Sequence, residues 1–397
     1  MTENRWTDDF LNSLRMQGDP LADETVEKML KDGTIQHAGE LFRTLKSNDD
    51  QVADKRIPEL TEFVATTKGL PKGTDLKRIE RGEAAFMRSA FPACLALLCK
   101  SLPEGYAAPN LSLILNISKN LEKHPYARLI AVLQLVVNVG AHQGFQDDGR
   151  AVITAQKVRL LHAGIRQITN KYVPDYSKSY QVPVNHEDML ATIMGFSLLV
   201  ITGLEALDVP LKEQEAEDLL YLWCVFAQMC GIYPPGKPES MEYLPTSVAD
   251  AKAFYAAFGR RHYANVKDNP DGVELTRANI KMLEDMIPWP LRLFGLKVLP
   301  KVYLVHMTGV EAARRVGVSP VWGHTIFKKI AFGLTRLITF VWRKVNRVDK
   351  QEEESGHHHR TFSNMVMQFL IDEKFGGAVE FTIPATLKNL HNMVKRP

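Results

Sequence analysis

Along most of the chain apolar residues recur at three- and four-residue spacing, the period of a helix packed by one face, while period-two runs are nearly absent. From Glu83 to about Gly231 this pattern predicts long apolar helices near 84–101, 109–122, 126–141, 149–171, 186–205 and 213–231. Pro92 should kink or restart the first of them, and Tyr233-Pro234-Pro235-Gly236 ends the series. A second group is predicted near 247–259, 274–286, 290–307 and 323–347. Beyond a polar loop, Gln351 to Gly356, and a His357-His358-His359 triplet, helices are predicted near 361–374 and 385–395. Residues 1–80 read as short charged helices punctuated by Gly18-Asp19-Pro20, Lys31-Asp32-Gly33 and Leu70-Pro71-Lys72-Gly73. With no fixed-period repeat and no low-complexity linker, the pattern predicts an all-α fold: one large bundle-like helical domain, globin-like in spirit.

Composition narrows the class. Of 397 residues, 45% are hydrophobic and 24% charged, enough apolar material for a large core with an internal cavity. The net charge of +3 does not call for nucleic acid as a partner. Cys94, Cys99, Cys224 and Cys230 fit neither a C-x-x-C motif nor a disulfide framework, and are expected to be buried free thiols in a reducing compartment. The first twenty residues are polar and acidic, so no signal peptide is expected. Met189 to Leu204 offers 16 uncharged residues, short of the roughly 20 that a membrane span needs. A cytoplasmic protein is expected. There is no G-x-G-x-x-G behind a strand, no P-loop, no H-E-x-x-H and no G-x-S-x-G, so nucleotide-dependent and serine-hydrolase chemistry have no support.

The helix expected at 149–171 carries the most informative stretch, Lys157-Val158-Arg159-Leu160-Leu161-His162-Ala163-Gly164-Ile165-Arg166. At 100° per residue, Arg159, His162 and Arg166 fall within an arc of about 60°, with Val158, Leu161 and Ile165 to one side. Arginine is almost never buried unpaired, so something anionic should face this stripe. Two readings meet that requirement. In one, the stripe is a solvated face or pairs with Glu187 and Asp188 on the next helix. In the other, His162 ligates a haem iron while the two guanidinium groups pair with the propionates.

This stretch resembles the core motif of the rubber oxygenase (latex clearing protein)/MpaB oxygenase family, whose R-x-x-H-A-x-x-R helix carries the proximal histidine of a b-type haem. The run from Leu70 to Gly82, the Leu102-Pro103 and Tyr106-Ala107 pairs, and Val184 to Met189 followed by Phe196 are similar to the family's surroundings of that motif. The resemblance spans roughly 20–320, and only the R-x-x-H-A-x-x-R run is specific. It implies a haem b (heme b) pocket with His162 as iron ligand and Arg159 and Arg166 as propionate or second-sphere partners. It also implies O2 as co-substrate and an apolar, lipid-like, unsaturated or isoprenoid substrate. The chain then divides into an N-terminal helical arm over 1–69, a haem-binding oxygenase-like core over 70–320, and a C-terminal basic helix and tail over 321–397.

The resemblance departs on the distal side. Rubber-cleaving members carry R-x-x-K-T on the facing helix. Here Arg128 matches the arginine, and would be the catalytic distal residue, but Ala131 and Val132 stand for lysine and threonine. Neither can ligate iron or donate a hydrogen bond. Arg128 also reads as an ordinary helix-surface arginine, and His186 and Glu187 read as the first turn of a helix capped by Asn185.

Residues 312–348 hold eight Lys/Arg and no acid. On a helix over 326–347, Lys328, Lys329, Arg336, Arg343, Lys344 and Arg347 share one half of the wheel. Leu334, Leu337, Ile338, Val341, Trp342 and Val345 share the other, so the helix can lie on an anionic membrane surface; the favoured expectation is that the apolar half packs on the core, which still leaves the basic half to attract lipid headgroups. Two rival functions follow: a haem protein that stores or senses without turnover, and a haem-free helical protein working at membrane surfaces.

Overall fold

A computed structural model describes residues 5–50, 54–121 and 125–348, and of residues 36, 43, 117–121, 125–130 and 342–348 it describes the backbone alone. The described residues are helical and form no strand. Four short helices come first: α1 (Asp8–Arg15), α2 (Pro20–Lys31), α3 (Ile35–Thr44) and α4 (Pro58–Thr66). The longer set follows as α5 (Leu76–Arg88), α6 (Ala90–Ala96), a π-turn (Leu97–Ser101), α7 (Leu102–Tyr106), α8 (Pro109–Leu121), α9 (Pro125–Gly140) and α10 (Ala151–Tyr172). Then come α11 (Pro174–Tyr180), α12 (His186–Phe196), α13 (Leu198–Ala206), α14 (Glu213–Met229) and α15 (Val248–His262). The last are α16 (Pro270–Met286), α17 (Trp289–Leu293), α18 (Leu299–Thr308), α19 (Val310–Arg315) and α20 (His324–Val348). The His357–His359 triplet and the helices expected at 361–374 and 385–395 lie outside the described residues.

Helix ends follow local chemistry. Asp19, Asn185, Ser247 and Asn269 cap α2, α12, α15 and α16 with side-chain oxygens, each accepting a backbone N–H of the first turn. The expected break near Pro92 falls at Ser89, and the helical axis turns by 84° there. Pro92 has no N–H to give the Arg88 carbonyl one turn back, so the chain restarts ahead of it. The helix expected over 186–205 is divided at Ser197, whose hydroxyl donates to the Ile193 carbonyl at 2.9 Å. The most apolar window of that pair is long enough to cross a membrane, yet 67% of it is buried among the protein's own helices.

The core is built around α14, where Leu222, Trp223, Cys224, Val225, Phe226 and Ala227 are all buried, so the helix is enclosed on every side. α5 lies closest to it. A Cβ on Gly82 would stand 2.6 Å from the Asp218 carbonyl oxygen, and Arg78 and Arg81 hold the buried Asp218 carboxylate at 2.9 and 2.6 Å. A second apolar cluster joins α2, α3 and α4 to Ile153, Leu160 and Ala163 of α10. One face of α10 therefore belongs to the N-terminal helices, and Val152, Ala155 and Ile165 belong to the main core.

α20 overturns one expectation. It turns Ala331, Thr335 and Thr339 inward and leaves Leu337, Ile338 and Val341 exposed. The cause lies on α18: the buried Tyr303 hydroxyl needs partners, and finds the Ala331 carbonyl at 2.7 Å and the Thr335 hydroxyl at 2.8 Å. Leucine at 335 would supply no hydroxyl. Side chains of Trp342, Arg343, Lys344, Val345 and Arg347 fall outside the described set.

Replacing Gly82 with alanine should cost about 1–3 kcal/mol, the range for forcing volume into a packed interface. Urea denaturation would read this. An unchanged midpoint would show that α5 and α14 part freely enough to admit a methyl group.

Candidate active site

α10 has few helix-breaking residues in 22 positions, and its two flanks meet different neighbours. Arg159 and Arg166 are buried, and His162 between them is half-buried. The anion their stripe requires is present, but it comes from neither Glu187 nor Asp188. It comes from α2. Arg159 donates from Nε to Asp19 Oδ2 at 2.6 Å and from Nη2 to Asp19 Oδ1 at 2.8 Å, with the Tyr233 hydroxyl at 3.3 Å. Arg166 donates from Nε to Asp23 Oδ1 at 2.7 Å and from Nη1 to the Val184 carbonyl at 3.2 Å. The two guanidinium groups thus spend their strongest bonds inside the protein.

Asp19 serves two helices. Its Oδ1 also accepts the Ala22 N–H at 3.3 Å, capping α2. Burial raises this carboxyl, but the hydrogen bond and charge of Arg159, with Arg166 behind it, outweigh burial and hold it below the ordinary aspartate range. Asp23 goes the other way, with burial lifting it despite Arg166. Gly231, at φ +93°, leaves room for the pair, because a Cβ there would stand 2.9 Å from Asp19 Oδ2.

Glu187 and Asp188 are engaged elsewhere. Arg15 of α1 reaches them at 3.1 and 2.9 Å, while Arg261 and His262 of α15 hold Glu187 at 3.1 Å each. His186 is buried, and its ring lies beside the backbone of Gly18 and Gly231 without a hydrogen bond of good geometry. Burial lowers it to about 4, so it is a neutral imidazole at neutral pH.

Val158 and Leu161 of α10, Leu111 and Leu113 of α8, and Val132 and Leu135 of α9 are partly buried side chains packed on the main core. Ala131 is exposed. Arg128 falls within α9, and its side chain lies outside the described set. All four cysteines are free, and burial pushes the Cys99 and Cys224 thiols up to about 12. Among the described residues no three His, Cys, Asp or Glu side chains gather as a metal-holding cluster. A surface groove of about 460 Å³, walled by Val273, Ile280, Val316 and Val318, shares no residue with α10.

Sequence reasoning placed Arg159, His162 and Arg166 on one stripe but missed Asp19 and Asp23. Gly18-Asp19-Pro20 read as punctuation. The available signal was a second one in the same residues: two acids four apart in the first turn of a helix, a spacing that puts both on one face.

Comparison with known proteins agrees with this architecture. A family model described as "ER-bound oxygenase mpaB/B'/Rubber oxygenase, catalytic domain" matches residues 84–339, which include α9, α10 and the start of α20. A rubber oxygenase of Streptomyces sp. (strain K30) is 23% identical over 239 residues, covering 59% of this chain and 56% of that protein. The solved structure of latex clearing protein in its closed state superposes with a TM-score of 0.68 at 19% identity, covering 96% of this chain and 90% of that one. The chain belongs to the MpaB/rubber oxygenase family, a family of oxygenases, and has the all-α fold of latex clearing protein.

Asp19→Ala should cost about 3–5 kcal/mol, because it leaves the Arg159 charge buried and uncompensated. The double variant Asp19→Leu with Arg159→Met should recover most of that loss in urea denaturation. Equal losses in single and double variants would sink the ion-pair account. Because the folded Asp19 value is depressed, its contribution is complete above a pH of about 4 and is lost as pH falls through the folded value. The advantage of wild type over Asp19→Ala should therefore shrink in acid.

Proposed function

We propose that this oxygenase-family chain binds haem b through His162 and acts with O2 on an apolar, unsaturated or isoprenoid-like substrate. The setting of His162 carries the reading: a half-buried imidazole on α10, flanked by Val158 and Leu161, inside the stretch that the family model matches. Among the described residues no three His, Cys, Asp or Glu gather to hold a bare ion, which suits a metal that arrives with a macrocycle supplying most of its ligands. When bound, the haem supplies an iron centre at which O2 is activated.

The remaining work falls to side chains. Arg159 and Arg166 act as positioning residues: through Asp19 and Asp23 they lock α10 against α2, and this fixes where the His162 imidazole points. Their propionate role narrows accordingly to Nη2 of Arg166, a buried nitrogen with no hydrogen-bond partner among the described residues. Val158 and Leu161, beside His162 on α10 and partly buried, favour a hydrocarbon over a polar substrate. Ala131 and Val132 carry no titratable group, so the facing helix offers no acid–base assistance, and what Arg128 supplies there is fixed positive charge. The name of the Streptomyces relative, a rubber oxygenase, supports a polyisoprene-like substrate class. The missing lysine–threonine pair favours a second reading, a haem protein that stores or senses without turnover. Oxygen-dependent consumption of a polyisoprenoid separates the two.

The purified protein is expected to be red, with noncovalent haem b, since it has no C-x-x-C-H attachment motif. His162→Ala should lose the Soret band while keeping its helical circular dichroism, and added imidazole should restore part of the absorbance. A His162→Ala protein with a full Soret band at wild-type stoichiometry would show that His162 is not the ligand.

A further inference from the structure

The outward face of α20 continues into a second exposed apolar element. Trp289, Leu293 and Phe294, on and just after α17, are 72%, 76% and 78% exposed, and Trp322 and Ile326 at the start of α20 are 96% and 66% exposed. These segments converge on one ring: a Cβ on Gly295 or Gly323 would lie 3.8 or 3.7 Å from Phe327. Phe294, Trp322 and Ile326 are each the immediate chain neighbour of one of those three residues. From there Ile326, Ile330, Leu337 and Val341 fall within an arc of about 60° on α20, on the side opposite the buried Ala331, Thr335 and Thr339. Lys329 and Arg336 border that stripe, Arg336 reaching Asp208. Between residues 286 and 341 there are eight Lys or Arg and one acid, Glu311; Asp285 and Glu284 just ahead of them pair with Arg292, Lys297 and Lys301, so the excess positive charge lies on α19 and α20.

Large aromatic side chains left this exposed are costly in water and mark a surface that meets something apolar. The charge around them selects among occupants. A second copy of this chain would bring the same cations to the interface and repel itself, whereas an anionic lipid surface offers acyl chains to the aromatics and phosphates to the cations. Tryptophan at the edge of an apolar face is also the side chain that best suits a lipid–water boundary. We propose that Trp289, Leu293, Phe294 and Trp322, with the outward stripe of α20, dock the protein on an anionic phospholipid surface, the helix lying in the interface plane. Apolar insertion supplies the contact, and the basic flank supplies preference for negative headgroups. The inference is independent of the haem reading, since it uses no residue of α10.

The full chain should co-sediment with vesicles of phosphatidylcholine containing a third phosphatidylserine, far less with phosphatidylcholine alone, and less as salt rises. A Trp289→Ala, Phe294→Ala, Trp322→Ala triple variant should bind the anionic vesicles at least about tenfold more weakly, because it removes three apolar anchors. Its helical circular dichroism, thermal midpoint and haem content should match wild type. Three results would overturn the proposal: wild type that stays in the supernatant with anionic vesicles, a triple variant that sediments as well as wild type, or a lipid-free dimer that the triple variant dissolves, which would assign the face to a second copy. Wild type that carries no haem yet binds the anionic vesicles would count against the haem reading alone.

Discussion

Asp19 caps α2 and, with the same two oxygens, grips the guanidinium of Arg159 on α10. Much of the candidate site depends on that contact. α10 is the helix shared by the N-terminal cluster and the main core, so whatever fixes its rotation fixes every side chain it carries. An apolar pair could stabilise the contact as well or better, since desolvating two charges offsets most of their attraction. What an ion pair adds is direction. A bidentate fork has one good orientation, whereas leucines would tolerate rotation and sliding of one helix over the other. With Arg166 two turns further along α10 paired to Asp23 one turn further along α2, the stripe is pinned at both ends, and His162 stands between the pins.

The same logic explains why the N-terminal helices are integral. Arg15 of α1 enters the buried carboxylates of Glu187 and Asp188, and Trp6 donates to Asp250 on α15 at 2.7 Å. These are charges and polar groups with no water to replace the bond, so detaching the arm would leave several of them unsatisfied at once. Residues ahead of the catalytic-domain match thus hold the helices within it in place.

Around Trp322 the side chains are apolar and bare, with positive charge on α19 and α20 beside them, which suits the lipid boundary proposed above.

How much of this was legible in the chain varies with the range of the interaction. Helix positions came from apolar periodicity, and ends such as Asn185 and Asp19 came from caps, because those effects act within one turn. The stripe of Arg159, His162 and Arg166 followed from helical geometry alone, and so did the need for an anion opposite it. Which anion could not be read. Asp19 lies 140 residues away along the chain, and Glu187 and Asp188 were nearer and equally acidic. Only packing shows that Arg15 had already taken them. α20 makes the same point in reverse. Its two faces are plain in the sequence, and apolar-inward was the natural expectation. The hydroxyl of Tyr303, on a different helix, required threonine and a bare carbonyl, and turned the apolar stripe to the outside. The sequence by itself determined the helices and their faces, since periodicity and capping are local. The tertiary structure decided which face is buried and which charge meets which, since a buried polar group must be paired by whatever distant residue the fold brings to it.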